Sequence, residues 1–238
     1  MKTHIGTFLS IGSPAVTELA AEAGFDWVLI DLEHGCESEA ALPNQLRALR
    51  GSSTLAVVRV SAPHPDLIGR VLDWGAHGIM VPHVDTVAQA EHCVRSAYYP
   101  PQGQRGVSRT VRAYGYGLRL PAGEMPKPLI LAQIETAEGV ANAQAIAAVP
   151  GIDALFIGPA DLSYDLKARN SPRSYDECLD AVVQAARSHG KGCGILVRHA
   201  DDKEKLKALG LTWLAMDSDL SLVREGFKRN LEMARSWC

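Results

Sequence analysis

Charged and polar residues that could support catalysis follow several short apolar runs of this sequence. The run VLI leads into Asp31, Glu33 and His34, the run VVR ends in Arg59, and the segment AQIE ends in Glu135. Carboxylates can bind a divalent metal ion, an arginine can stabilise developing negative charge, and a histidine can transfer a proton near neutral pH. This combination predicts a polar site for metal-assisted chemistry.

Glu135 and Asp161 are the best candidates for metal ligands. Two carboxylates with open positions suit a hard ion such as Mg²⁺ or Mn²⁺, which keeps water molecules and accepts substrate oxygens. His34 is then free to act as a base. Asp73, in the segment VLDWG, is a candidate to orient the His34 ring, although a place on a helix surface explains Asp73 equally well.

Each of these residues also has a structural explanation. Asp31, Glu33 or Asp161 could cap the helix that follows it, Arg59 could pair with a structural carboxylate, and Glu135 could be a surface acid. Taken together, these structural explanations are less convincing than a shared site. Several unrelated residues would each have to lie by coincidence at the same kind of position along the chain.

That position is the carboxyl end of a predicted strand. The sequence alternates Val-, Ile- and Leu-rich runs with segments of helical spacing, which is typical of parallel strands covered on both faces. Eight such units in 238 residues predict one domain over residues 1–238, a TIM (β/α)8 barrel, in which chemistry occurs at the carboxyl ends of the strands. The predicted strands are Ile5 to Ser10, Trp27 to Asp31, Leu55 to Val60, Gly78 to Pro82, Leu129 to Glu135, Ala154 to Gly158, Gly192 to Val197 and Trp213 to Asp217. The irregular stretch from Tyr98 to Lys127 is interpreted as a functional loop.

Composition restricts the partners and the cellular location. The net charge of -3 gives no electrostatic reason to expect nucleic acid or an anionic membrane as a partner. No apolar run approaches the roughly 20 residues of a membrane span, and the first residues do not resemble a secretion signal. The five dispersed cysteines predict reduced thiols in a cytoplasmic protein. Cys36 lies close to His34 in sequence, but no second activating group is evident nearby, so a bystander thiol is favoured over a nucleophile.

The motifs, taken in order, resemble the HpcH/HpaI aldolase/citrate lyase family. They are WVLIDLEHG, VVRV, VLDWGAHGIMVPHV, YYPPQGQRGVS, AQIETAEGV and FIGPADLS, and the similarity extends from about Gly6 to Met216. The resemblance implies a class II pyruvate aldolase, which uses Mg²⁺, Mn²⁺ or Co²⁺ to cleave a 2-keto-4-hydroxy acid into pyruvate and an aldehyde.

The resemblance also implies a role for each residue of these motifs. Glu135 and Asp161 would bind the metal, and Arg59 and Gln133 would hold pyruvate. His34 would be the acid/base, paired with Asp73 and supported by Asp31. Backbone donors of Gly158, Pro159 and Ala160 would lie under the pyruvate carboxylate.

The family implies a hexamer with the last helix exchanged between subunits. The stretch after DLEH and the region Ala113 to Lys127 are expected to contact the aldehyde end of the substrate.

Two other functions remain open at this level. A citrate-synthase-like or citrate-lyase-like enzyme of the same family would keep the metal and the arginine but use a different acyl partner. A non-catalytic metabolite-binding barrel is disfavoured, because His34, Glu135 and Asp161 are all present. No lysine lies at a predicted strand end, which argues against a Schiff-base mechanism.

Overall fold

The computed structural model describes residues 2–198 and 203–237. Eight parallel strands pair in sequence order, and β8 returns to pair with β1, so the sheet closes into a barrel. The predicted TIM (β/α)8 fold is therefore confirmed. The strands are β1 (His4–Leu9), β2 (Trp27–Asp31), β3 (Leu55–Arg59), β4 (Gly78–Val81), β5 (Leu129–Ile134), β6 (Ala154–Ile157), β7 (Gly192–Val197) and β8 (Trp213–Ser218).

Helices follow the strands and form the outer layer. Their starts are marked by capping residues: Thr86 and Ser174 form capping boxes, and Ser13, Thr136 and Ser218 cap through their hydroxyl groups. Four of these caps, all except Ser174, fix the chain close to the carboxyl ends of strands, where the candidate residues lie. The described helices are α1 (Pro14–Glu22), α2 (Leu42–Ala48), α3 (Pro65–Asp73), α4 (Val87–Ala97), α5 (Ala137–Ala148), α6 (Pro159–Ala168), α7 (Tyr175–Ser188), α8 (Lys203–Leu209) and α9 (Asp219–Arg235). None of them is long and apolar enough to cross a membrane.

The core has two parts, one on each side of the sheet. Most buried aliphatic residues pack between the strands and the helices. A second cluster fills the interior of the barrel with larger side chains, among them Phe8, Trp27, Leu29, Val57, Met80, Leu131, Phe156 and Trp213. Alternate residues of a strand face the same side. The residues that follow Leu29, Val57 and Leu131 by two positions therefore form the next inward layer.

That next layer is polar. It contains Asp31 after Leu29, Arg59 after Val57, and Gln133 after Leu131, and all three side chains are buried. Asp31 and Arg59 are direct partners in the register of β2 with β3. The strand period and the register therefore bring these two residues together at the carboxyl end of the barrel.

The segment between α4 and β5 lies at the other end of the barrel. It connects the end of a helix with the start of a strand, and such connections lie opposite the carboxyl ends of the strands. It contains a short 3₁₀ helix, Arg112–Gly117, and Arg112 donates to the carbonyl oxygens of Trp74 and Leu46, which lie near the ends of α3 and α2. Within one chain, the region Ala113 to Lys127 is therefore remote from the barrel mouth, contrary to the expectation that it contacts the aldehyde end of the substrate.

Candidate active site

The centre of the site is a buried ion pair. Arg59 donates from Nε to Asp31 Oδ1 at 2.8 Å and from Nη2 to Asp31 Oδ2 at 2.7 Å. Asp31 Oδ1 also accepts hydrogen bonds from the backbone N–H groups of Glu33 and His34. Burial by itself would raise the pKa of Asp31, but the hydrogen bonds and charge of Arg59 outweigh burial, and the pKa is lowered. Asp31 is therefore a permanent negative charge that fixes the arginine.

Glu33 completes the fixation of Arg59. Its Oε2 lies 2.8 Å from Arg59 Nη1, and its side chain is largely buried. Asp31 engages two of the five N–H donors of the guanidinium group and Glu33 pairs with Nη1 by charge, so N–H donors on both Nη atoms remain for a ligand. Sequence reasoning treated Glu33 as a possible helix cap and missed this contact. The spacing of Asp31 and Glu33 two residues apart, directly beyond a strand, is the signal that could have indicated it.

Glu135 is buried behind the ion pair. Its Oε1 accepts the backbone N–H of His83 at 2.8 Å, and its Oε2 accepts Gln133 Nε2 at 2.5 Å. Burial raises the pKa of Glu135, and the negative charges of Glu33 and Asp161 raise it further. A carboxylate whose negative charge is disfavoured in this way would be stabilised by a bound cation.

His83 is a second residue that sequence reasoning missed. It has a left-handed backbone conformation, with φ of +52°, and its ring Nδ1 lies 3.2 Å from Glu135 Oε1. Because the backbone N–H of His83 makes the closer contact, the residue type at this position carried no signal of the interaction.

Helix α6 begins at the same place. Its N-cap is Gly158, which is followed by Pro159 at the first helical position. The N–H of Gly158 donates to the Ile134 carbonyl oxygen, and proline has no N–H. The expectation that Gly158 and Pro159 supply backbone donors is therefore wrong. The free N–H groups of the first turn belong to Ala160 and Asp161.

His34 and Asp73 do not meet within one chain. The His34 side chain is 68% exposed, and its Nε2 lies 3.9 Å from Glu33 Oε2. Asp73 is the last residue of α3, near the opposite end of the barrel, where its Oδ1 accepts a hydrogen bond from Arg105 Nη2 at 2.5 Å. The side chain that accompanies His34 at the mouth of the same chain is Glu33, not Asp73.

A cavity of about 460 Å³ covers the ion pair and the start of α6. Eight of the residues predicted from sequence line it, whereas Glu135 and Asp73 are not among its lining residues. The predicted lining residues are Asp31, His34, Arg59, Gln133, Gly158, Pro159, Ala160 and Asp161, of which the glycine contributes backbone only. Sequence reasoning missed the opposite wall, which includes Arg198, Ser218, Ser221 and Arg224.

The residues present fit a divalent metal ion. The carboxylates of Asp31, Glu33 and Glu135 act on Arg59, and those of Glu33 and Asp161 act on Glu135, so four acidic groups lie around one buried arginine. Gln133 Oε1 is buried and has no hydrogen-bond partner among the described residues. In that part of the chain, no group of three or more His, Cys, Asp or Glu side chains is arranged around a metal position. An ion held by two carboxylates, with its other positions open, agrees with both observations.

A closed (β/α)8 barrel with an arginine, carboxylates and a helix N-terminus at its carboxyl end has the architecture of an enzyme that acts on a small acid. The sequence model for HpcH/HpaI aldolase/citrate lyase matches residues 4–226, and the chain belongs to this family. The predicted class, a carbon–carbon lyase of the aldolase type, is thereby confirmed, and membership supports a divalent metal cofactor in general.

Individual relatives agree with this assignment. The 5-keto-4-deoxy-D-glucarate aldolase of Salmonella arizonae is 37% identical over 233 residues, which are 96% of this chain and 91% of that protein. The crystal structure of an HpcH/HpaI aldolase/citrate lyase family protein from Burkholderia cenocepacia J2315 superposes with a TM-score of 0.90 and 33% identity, covering 98% of this chain and 95% of the other. The citrate synthase SbnG superposes with a TM-score of 0.83 and 29% identity, covering 99% and 94%.

Proposed function

We propose that this enzyme reversibly cleaves a 2-keto-4-hydroxy acid to pyruvate and an aldehyde. The observation that carries the proposal is the fixation of Arg59 by Asp31 and Glu33, directly beside Glu135 and the start of α6. This arrangement places positive charge and backbone donors around one small space, where a 2-keto carboxylate can bind.

The pyruvate half of the substrate would occupy this space. The unused Nη donors of Arg59 would bind oxygen atoms of the keto acid, and the free N–H groups of Ala160 and Asp161 would bind its carboxylate. The side chain of Gln133, whose Oε1 has no hydrogen-bond partner within the described part of the chain, lines the same cavity. Because Asp31 and Glu33 hold Arg59 before the substrate arrives, little reorganisation is needed as negative charge develops.

Glu135 and Asp161 would hold the divalent metal ion. When bound, the ion supplies Lewis-acid stabilisation of negative charge on the keto acid. The identity of the ion among Mg²⁺, Mn²⁺ and Co²⁺ belongs to the proposal. Glu135 is positioned for this role by the hydrogen bonds from His83 and Gln133.

His34 would transfer the proton. In the cleavage direction, the C4 hydroxyl gives its proton to the imidazole while the C3–C4 bond breaks and its electron pair moves into the enolate of pyruvate. The aldehyde forms at C4, and return of a proton to C3 yields pyruvate. The exposed ring of His34 at the cavity edge suits a group that must reach the hydroxyl of a bound substrate.

The named substrate of several relatives has the required chemical pattern. Numbered from its keto end, 5-keto-4-deoxy-D-glucarate is a 2-keto-3-deoxy acid with a hydroxyl group at C4. We therefore propose keto-deoxy sugar acids as the first substrates to test. The relation to a citrate synthase makes acetyl-CoA with oxaloacetate the appropriate comparison assay.

The test is metal-dependent release of pyruvate. Protein treated with EDTA should be inactive towards 5-keto-4-deoxy-D-glucarate, and Mg²⁺, Mn²⁺ or Co²⁺ should restore pyruvate formation. Asp161→Asn should weaken Mn²⁺ binding, whereas the matched change Asp180→Asn, at an exposed position of α7, should not. Full activity of the metal-free protein, trapping of an imine by borohydride, or citrate formation without any aldol cleavage would contradict the proposal.

We further propose self-association through α9, up to the hexamer that the family resemblance implies, in a cytoplasmic protein. Support comes from the surface of this helix. Leu220, Val223, Phe227 and Leu231 follow one helical stripe, and all four are exposed, with Phe227 at 71%. A stripe of this kind is expected to be covered by another protein surface. Exchange of the helix between subunits is part of the same proposal.

A further inference from the structure

The segment between β2 and α2 carries His34 and also an acidic residue, Glu37, that the proposed reaction does not use. Glu37 Oε1 accepts a hydrogen bond from Gln45 Nε2. Its Oε2 is buried and has no hydrogen-bond partner in the part of the chain that the structure describes. A buried carboxylate oxygen without a donor requires an explanation, because most buried polar atoms are hydrogen-bonded.

Gln45 connects Glu37 to two helices of the outer layer. Gln45 belongs to α2, and its Oε1 accepts a hydrogen bond from the hydroxyl group of Thr17, in α1, at 2.7 Å. Gln45 and Thr17 are both fully buried. The amide of Gln45 is therefore fixed in position, and it offers Glu37 a rigid point of attachment.

Two other contacts hold the same segment, and neither is a buried side-chain contact. The backbone N–H of Cys36 donates to the Ser10 carbonyl oxygen at 2.7 Å. Arg70 Nη2 lies 2.6 Å from Glu39 Oε2, but both side chains of this ion pair are exposed, and such pairs contribute little. Glu37 is therefore the acid through which the segment is attached to the interior.

No positive charge compensates a negative charge on Glu37. Within residues 2–198 and 203–237, it takes part in no ion pair, and the groups that face it from other elements are the amide of Gln45 and the backbone of Gly12, both neutral. Burial raises the pKa of Glu37 more than the hydrogen bond from Gln45 lowers it. The titratable groups of its own segment make no hydrogen bond or ion pair with it, and they are Glu33, His34, Cys36 and Glu39.

We infer that Glu37 is a positioning residue for His34: its neutral form attaches the segment between β2 and α2 to the outer helices, and its ionisation releases this segment. The inference rests on the proposed aldol function, in which His34 transfers the proton, and deepens it by adding a dependence on pH. An ionised carboxylate with one amide donor and no cation is costly to bury, so it would turn towards water and leave Gln45. His34 lies three positions before Glu37 and would be displaced with it.

Ionisation of Glu37 is thereby linked to the attachment of the segment. Below its ordinary pKa of 4.5, Glu37 is neutral in both the folded and the unfolded protein, and the attachment is complete. As the pH rises above 4.5 and through the raised pKa of the folded protein, the attachment is lost. Displacement of a catalytic group by about 1 Å can cost on the order of 10²-fold in rate. Wild-type protein should lose up to this factor in kcat, relative to a protein whose segment stays attached.

The test compares Glu37→Gln with wild-type protein at each pH between about 5 and about 9. Glutamine keeps an acceptor oxygen for Gln45 Nε2 but cannot ionise. The ratio of kcat for Glu37→Gln to kcat for wild-type protein cancels the titration of His34, and it should rise with pH by up to about 10²-fold before it levels off. Glu37→Ala, which lacks the attachment, should be slow throughout. The matched control is Glu22→Gln, an exposed acid at the end of α1, whose ratio to wild type should not depend on pH.

Hydrogen–deuterium exchange separates the failure of this inference from the failure of the proposed function. In metal-loaded protein without substrate, residues 33–41 should exchange faster in wild-type protein than in Glu37→Gln at the upper end of the pH range, and equally at the lower end. If this difference is present but no pyruvate is released from any substrate, the attachment stands and the aldolase proposal fails. A kcat ratio that does not change with pH, or equal exchange at every pH, would overturn the inference.

Discussion

Gly158 provides the sharpest test of the proposed metal position. A Cβ atom built on this residue would lie 2.3 Å from Glu135 Oε2, 2.8 Å from Glu135 Cβ and 2.9 Å from Gln133 Nε2. The backbone of Gly158 has a φ of -89° and a ψ of 94°, which alanine adopts without strain. The effect of Gly158→Ala is therefore a steric clash without backbone strain. The side chain that must move to relieve this clash is that of Glu135, the proposed metal ligand.

The expected loss of affinity for Mn²⁺ follows from the strength of the hydrogen bonds that hold Glu135. To avoid the new methyl group, its carboxylate must give up the contact with Gln133 or the contact with the His83 N–H. Each such bond to a charged group contributes about 1.5–3 kcal/mol. If the carboxylate must return to its original place to bind the ion, affinity for Mn²⁺ should fall about 10- to 150-fold.

The assay is Mn²⁺ binding followed by electron paramagnetic resonance, with thermal unfolding measured in parallel. Gly69→Ala is the matched control, because Gly69 lies inside α3 and an added Cβ there meets nothing within 4 Å. That control should bind Mn²⁺ normally and gain about 0.5–1 kcal/mol of stability. Wild-type affinity for Mn²⁺ in a folded Gly158→Ala protein would refute the placement of the metal at Glu135.

Three other substitutions test the remaining parts of the site and the surface. Arg59→Lys should reduce kcat/KM about 10²- to 10³-fold, because an ammonium group cannot contact Asp31 and Glu33 and still present a fork to the substrate; near-normal turnover would remove Arg59 from the site. His34→Ala should reduce aldol cleavage about 10²- to 10⁴-fold while Mn²⁺ binding is retained, and loss of Mn²⁺ would instead indicate a ligand. Phe227→Glu should shift sedimentation towards smaller species, whereas an unchanged oligomer would show that this face of α9 is not an interface.

Much of the fold could be predicted from the sequence, because each strand of a barrel covered on both faces is a short apolar run. The observed strands lie within one or two residues of those runs. The connection between α4 and β5 could not be predicted in the same way. Its 3₁₀ segment is interrupted by left-handed backbone at Gly115 and Tyr116, and tyrosine is not a residue type that indicates such a conformation.

The site was predictable where a side chain occupies the end of its own strand. Asp31 and Arg59 are examples, since the strand period and the parallel register bring both inward. Contacts that depend on the backbone, such as the His83 N–H to Glu135, leave no trace in the residue type. Arg224 could not be found because it is far from the motifs in sequence and reaches the cavity only through closure of the barrel. Pro159 differs from these cases, since its lack of an N–H group is evident from the sequence itself.

Stability and function depend on the same charges at this barrel mouth. Burial of Arg59 requires compensation, and Asp31 and Glu33 provide it. Glu135 and Asp161 are two further acidic groups at this mouth, and the negative charges of Glu33 and Asp161 raise the pKa of Glu135, so acidic groups are in excess around Arg59. A divalent cation would reduce this excess, and a 2-keto carboxylate could then approach the unused donors of Arg59. Asp31 and Glu33 already compensate the charge of Arg59. The neighbouring pair, Glu135 and Asp161, is therefore left to bind a metal ion.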